Sequence, residues 1–194
     1  MQPAEAAAVL DFWFAAGTPE ADRPRPAWWA RDDAFDAEVR RRFASLHARA
    51  RNGELEGWRA EPGTALALVI VLDQFSRNLF RGSPEAFACD AHAVAVAKDA
   101  IARGLDRQLA AIRRQFFYLP LMHSEVLADQ DRCVALFEAL DALPEQENSV
   151  RFAHRHREII ARFGRFPHRN AVLGRTTTAE EARFLAEPNS SFQP

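Results

Sequence analysis

The sequence predicts an all-α protein. Capping and stopping residues punctuate the chain at helical intervals, and the apolar residues between them recur in steps of three and four. No alternating β-branched stretch bounded by turn signals competes as a strand. With 194 residues, 48% hydrophobic and 27% charged, the chain fits a single helical domain over 1–194 that buries roughly 70% of its unfolded surface.

The first helix is expected from about Ala4 to Phe14. A loop holding Pro19, Pro24 and Pro26 follows, and then a long helix over Asp33 to Arg51 that stops at Gly53. Phe35, Val39, Phe43 and Leu46 step by four, four and three along one face of that helix. The segment Thr64 to Phe80 is apolar on every side at first, as a central helix should be, and turns polar at Asp73, Gln74, Arg77 and Asn78. Ser83-Pro84 reads as a cap and first-turn proline for a helix ending at Gly104. Further helices are expected over Asp106 to Tyr118, Leu121 to Leu140 after Pro120, and Asn148 to Phe163 before Gly164. Thr178 with Glu181, or Thr177 with Glu180, has capping-box spacing for a short last helix closed by Pro188. That makes roughly eight helices, joined by short connections that favour antiparallel neighbours.

Charge and cysteine content narrow the function. The net charge of −2 argues against a dedicated nucleic-acid binder, so no nucleic acid is expected as a partner. Cys89 and Cys133 stand far apart, without the spacing of a disulfide framework or zinc site, which fits a reducing cytoplasm. Glu5 and Asp11 precede the first basic residue, Arg23, a polarity opposite to that of a signal or transit peptide. The apolar run Ala65 to Leu72 is far short of a bilayer span, so no membrane is expected. Asn189-Ser190-Ser191 has the form of a glycosylation sequon, which carries no weight in a cytoplasmic chain.

Residues 151–175 hold seven arginines against one acid, Glu158, inside an otherwise acidic chain. Such a segment is either an anion site or a set of guanidinium groups neutralised by the chain's own carboxylates. Arg165, His168, Arg169, Asn170 and Arg175 fall in a loop where donors could hold a phosphate or carboxylate, or could pin the last helix to the bundle. His156 lies on the apolar stripe of its helix, where a hydrogen-bonded core histidine is the common outcome. Asp73 and Arg77, four apart after an apolar run, suit a partly buried pair that holds shape. His123 and Glu125 have no metal-binding or triad spacing, and neither a metal nor a cofactor is called for. The tryptophans Trp13, Trp28, Trp29 and Trp58 read as core.

The strings LDFWF at 10–14, LALVIVLDQFSRNLFRG at 66–82, FFYLPLMHSE at 116–125 and HREIIARFGRFPHRNAVLGRTTTAEE at 156–181 resemble a bacterial family known as domain of unknown function 924. The resemblance spans nearly the whole chain and implies a tetratricopeptide-like right-handed helical array, with no activity attached. Its motif positions here include Asp73, Arg77, Asn78, Arg81, His123, Glu125, His156, Arg165, His168, Arg169, Asn170 and Arg175. Ser76 departs from the family pattern, in which proline is usual. The favoured function is a binding module in which the arginines and histidines form a polar pocket for a small anionic ligand or acidic peptide. One alternative is an enzyme with His123 or His156 as acid/base, Glu125 or Asp73 as its orienter, and arginines stabilising negative charge. Another is a purely structural polar network, with function on another surface.

Overall fold

A computed structural model describes residues 3–141, 146–188 and 190; two residues of the sequon, Asn189 and Ser191, lie outside them. Among the described residues there are eight helices, several short 3-10 turns and no strand. Helix α1 (Ala4–Trp13) buries Ala6, Val9, Leu10 and Trp13, a stripe at i, i+3, i+4 and i+7. Helix α2 (Asp33–Arg51) is capped by the Asp32 carboxylate, which accepts from the amides of Ala34 and Phe35, and it buries the predicted face. Gly53, at φ +79°, lets the chain turn so that its amide bonds to Ala50 O and that of Glu54 to Arg49 O, the paired closure of a Schellman motif.

Helix α3 is the centre of the molecule. It runs through 62–79, as an α segment (Pro62–Val69), a π segment (Ile70–Phe75) and a last α turn (Ser76–Leu79). Every residue from Thr64 to Ser76 is buried, as expected of a helix apolar all round, and α1, α2, α4 and α5 pack around it. Ser76 suits this place: its hydroxyl donates to Leu72 O and pairs with His47 Nε2 at 2.8 Å.

Three boundaries differ from the sequence reading. Asp106 opens only a 3-10 turn, Asp106–Gln108, and the helix expected from there starts at Ala111, after Leu109 turns extended. Ser83-Pro84 starts only a 3-10 turn, Pro84–Phe87, and helix α4 (Asp90–Ala102) begins after a break at Ala88 and Cys89. The break leaves Asp90 in the first turn of α4, where the positive end of the helix favours a carboxylate. Pro120 does not start a helix either. Helix α5 (Ala111–His123) runs through it, because 115–122 are all buried and tertiary packing overrides the missing amide.

The chain leaves α5 at Ser124, which is extended, and starts helix α6 (Leu127–Glu138) three residues later. His123 therefore closes one helix, and does not share a face with Leu127 and Gln130 of the next. The fully buried Gln130 stands in for the missing donors: its Nε2 donates to Leu121 O, Met122 O and Ser124 O at 3.2, 2.7 and 2.7 Å. Helix α7 (Gln146–Phe163) packs on α6. Helix α8 (Ala179–Leu185) opens with the capping box of Thr178 and Glu181.

Most of the core is one cluster, with Trp13, Trp28, Phe75 and Phe116 in edge and stacked contacts. A second, of Ile159, Ile160, Phe166 and Phe184, ties α7 to α8. Replacing Gln130 with leucine roughly keeps the volume and strands the Met122 and Ser124 carbonyls, while Leu121 O keeps the Ser124 amide. Gln130→Leu is expected to cost about 3 kcal/mol in urea unfolding, and Gln130→Glu about half of that at a pH where the introduced carboxyl is protonated and supplies one donor.

Candidate functional site

The polar half of α3 meets α4, α5 and the loop after α7 around two carboxylates, the buried Asp73 and the partly buried Asp90. Asp73, 1% exposed, accepts from Gln74 Nε2 at 2.5 Å and from His123 Nδ1 at 2.7 Å, and it lies 3.2 Å from Arg77 Nη1. Arg77 also reaches Asp90 of α4 with both terminal nitrogens, at 3.1 and 3.2 Å. Arg169, in the turn Pro167–Arg169, shares that Asp90 at 3.3 Å and donates to His123 O at 3.0 Å. The ring closes on itself: His123 is held through its side chain by Asp73 and through its carbonyl by Arg169. At the end of α3, Asn78 and Arg81 bind Asp36 of α2 at 2.7 and 2.5 Å.

Burial by itself pushes the Asp73 carboxyl up, but Arg77, His123 and Gln74 outweigh it and hold the group below the ordinary carboxylate range. Asp73 is therefore ionised and acceptor-only, so the proton on the His123 ring sits at Nδ1. Burial and Arg77 push His123 down, against the pull of Asp73. Burial brings His156 to about 3 and His168 to about 4, leaving both rings neutral at pH 7. His156 Nδ1 carries its proton and donates to Phe152 O at 2.7 Å, since a carbonyl only accepts.

A cavity of 1220 Å³ opens over this ring. Its charged wall is arginine alone: Arg31, Arg77, Arg81, Arg151, Arg155 and Arg169 line it, with no aspartate or glutamate among the described residues. The polar remainder includes His123, His156, His168, Gln74, Asn78 and Gln115, and the apolar side is built by Trp28, Trp29, Phe87, Ile112, Leu119, Met122, Phe137 and Phe152. Among the described residues no group of three or more His, Cys, Asp or Glu is placed to hold a metal ion, and no helix is long and apolar enough to cross a membrane.

Seven of the twelve residues marked by the sequence line the cavity: Arg77, Asn78, Arg81, His123, His156, His168 and Arg169. Asp73 lies behind His123. Glu125, Arg165, Asn170 and Arg175 belong to a separate network that fastens the C-terminal segment. Arg175 pairs with Glu125 at 2.8 and 3.0 Å, and Glu125 also accepts from the Phe166 amide. Arg165 grips Glu181 of α8 at 2.6 and 2.8 Å, with Asn170 on the same carboxylate at 3.2 Å.

Sequence reasoning missed Trp29, Arg31, Gln115, Arg151, Phe152 and Arg155. Trp29 is not core: it is half exposed and lies parallel to Phe116, with ring centroids 6.1 Å apart. On α7 the signal was present, since 148, 149, 151, 152, 155 and 156 form a helical stripe beside the buried one.

Arg165, with the bonds from Thr178 and Asn170, outweighs burial and sets Glu181 at about 2, below the ordinary glutamate value. A carboxyl lowered by folding stabilises the fold above its unfolded pKa, and that stabilisation is lost as pH falls toward the folded value. Glu181→Gln is expected to cost about 2 kcal/mol in urea unfolding at pH 7, and the gap from the unmodified chain should close between pH 4.5 and 2.

The model of the family described as "Bacterial protein of unknown function (DUF924)" matches residues 9–189. A solved structure of a protein of unknown function from Agrobacterium tumefaciens is 41% identical, with 93% of this chain and 96% of that one covered and a TM-score of 0.83. No curated protein matches. With nearly its whole length matched by the family model, this chain belongs to the bacterial family of unknown function DUF924.

Proposed function

We propose that the chain is a binding protein for a small organic anion, in which an acidic group is joined to an apolar or aromatic body. The observation that carries this reading is the cavity wall, whose six charged side chains are all arginine and are interleaved with aromatic and aliphatic residues, Arg77 and Arg169 over Phe87 and Arg151 over Phe152. Guanidinium groups offer several donors each and match carboxylate and phosphate oxygens. The volume lies slightly above the common range for small-molecule sites, roughly 300–1,000 Å³, which leaves room for an acidic peptide side chain as well.

The carboxylates of Asp36 and Asp90 support the reading as well as qualifying the charge. They bind Arg81, Arg77 and Arg169 from behind and fix their orientation, so a ligand meets donors that are already placed. Arg151 and Arg155 are the less constrained pair: Arg151 donates to Asn148, and Arg155 stands 3.5 Å from an exposed Glu158. We take these two to be the groups that set affinity without holding the fold. Arg165, bound to Glu181, is not part of the ligand's surroundings in this reading.

The test is a thermal-shift panel of benzoate, phenyl phosphate and neutral benzamide on the unmodified chain and on the variant Arg151→Ala with Arg155→Ala. Anions should raise the melting temperature and benzamide should not. The double variant should melt where the parent does without ligand and bind benzoate or phenyl phosphate about tenfold or more weakly, about 1.4 kcal/mol or more. Equal shifts from benzamide, or none from either anion, would sink the reading.

A further inference from the structure

We infer that the floor of this cavity is a hydrolytic site for carboxylic esters of organic anions, with His123 Nε2 as the general base and Asp73 as its positioning residue. The inference rests on the binding reading above and adds a reaction to it.

The arrangement has the polarity that base catalysis needs. Asp73 is sealed at 1% side-chain exposure and takes the Nδ1 proton of His123, while His123 keeps 17% and forms part of the cavity wall. A neutral imidazole with its proton on Nδ1 carries its lone pair on Nε2. That nitrogen makes no hydrogen bond with a described residue and is not among the sealed, unbonded polar atoms. The ring cannot turn freely, because Asp73 is itself fixed by Gln74 and Arg77 and the His123 carbonyl is held by Arg169. A carboxylate behind, an oriented imidazole in front and space beyond it is the base-and-orienter half of a hydrolytic triad.

No described hydroxyl or thiol bonds to Nε2, so water is the nucleophile. His123 Nε2 takes one proton from water as the water oxygen bonds to the acyl carbon, and the carbonyl oxygen becomes an oxyanion. The positive charge of Arg169, which lines the same floor, stabilises it. Collapse breaks the C–O bond to the leaving alcohol, which takes the proton back from Nε2. The products are the carboxylic acid, which releases its remaining proton to solvent, and the alcohol.

The charge at the floor favours an acyl over a phosphoryl centre. Arg77 and Arg169 face Asp73 and Asp90, so the floor is close to neutral and suits a single developing negative charge better than a phosphate dianion. Leu119 and Met122, on the same helix as His123, offer the apolar contact that an acyl or aryl group needs. The groups facing His123 are Asp73 and Arg77 from α3, Asp90 from α4, His156 from α7, and His168 and Arg169 from the 3-10 turn.

The experiment compares 4-acetoxybenzoate, phenyl acetate and 4-nitrophenyl phosphate as substrates, with binding of 4-hydroxybenzoate measured separately by thermal shift. Saturable hydrolysis of 4-acetoxybenzoate is expected, with phenyl acetate much slower. His123→Gln should lower kcat by about a hundredfold or more, a far larger change than in its binding of 4-hydroxybenzoate. Asp73→Asn removes a charge that raises the His123 pKa, so the acidic limb of its kcat/KM profile should move to lower pH; a limb set by a group other than His123 would stay in place and overturn the assignment of the base. Should Asp73→Asn not fold, His123→Gln decides alone. Binding of 4-hydroxybenzoate without turnover of 4-acetoxybenzoate overturns the hydrolytic inference and leaves the binding reading standing, whereas failure of 4-hydroxybenzoate to bind removes the binding reading too. Turnover of 4-nitrophenyl phosphate in place of the acyl ester overturns the assignment of the acyl class.

Discussion

A single carboxylate, Asp73, sets the terms for the polar interior. It is buried in the middle of the most apolar helix of the chain, and a bare charge there would be prohibitive. Its ionised state depends on Arg77 from its own helix and His123 from α5, with Gln74 completing its shell. Each partner is in turn committed elsewhere: Arg77 to Asp90 on α4, and the His123 backbone to Arg169 beyond α7. Removing one member would leave a charge without compensation, so these elements are coupled more tightly than their apolar contacts alone would make them.

The helices themselves were readable because their signals are local. Asp32 as a cap, Gly53 and Gly104 as stops, and the stripe of Phe35, Val39, Phe43 and Leu46 act within one turn or one face. The failures came where distant residues decided. Proline at 120 is a helix breaker by its own chemistry, but the packing of 115–122 keeps it helical, and it is Gln130, from the next helix, that fixes where α5 ends. The π segment has no local signature at all.

The site was legible in kind more than in membership. Surplus arginine in 151–175 was visible, but spacing could not say which guanidinium meets which acid. Arg165 and Arg175 resemble Arg169 in the sequence and differ only in that Glu181 and Glu125 lie within their reach. The result is a division of labour within one short segment: its ends fasten α8 and the turn after α5, and its middle, with His168, faces the cavity. Trp29 escaped notice for the complementary reason, since its exposed face is created by the fold around Phe116 and not by its neighbours in the chain.

The π segment of α3 makes the helix a joint between two faces that obey different rules. Ala65 to Val69 lie in the apolar core, while the residues after Phe75 must present Arg77, Asn78 and Arg81 to carboxylates on two other helices. A wider turn accommodates one residue more than an α-helix would over the same rise, so the extra residue is taken up locally and the helix continues beyond it in nearly its former phase. Deleting one residue within 70–75 would therefore close the segment to a plain α-helix with the downstream guanidinium groups still facing their acids, whereas the same deletion within α2, which has no wide turn, would rotate every later side chain by about 100°. One residue of slack is thus built into the helix at the boundary between its apolar and its polar half.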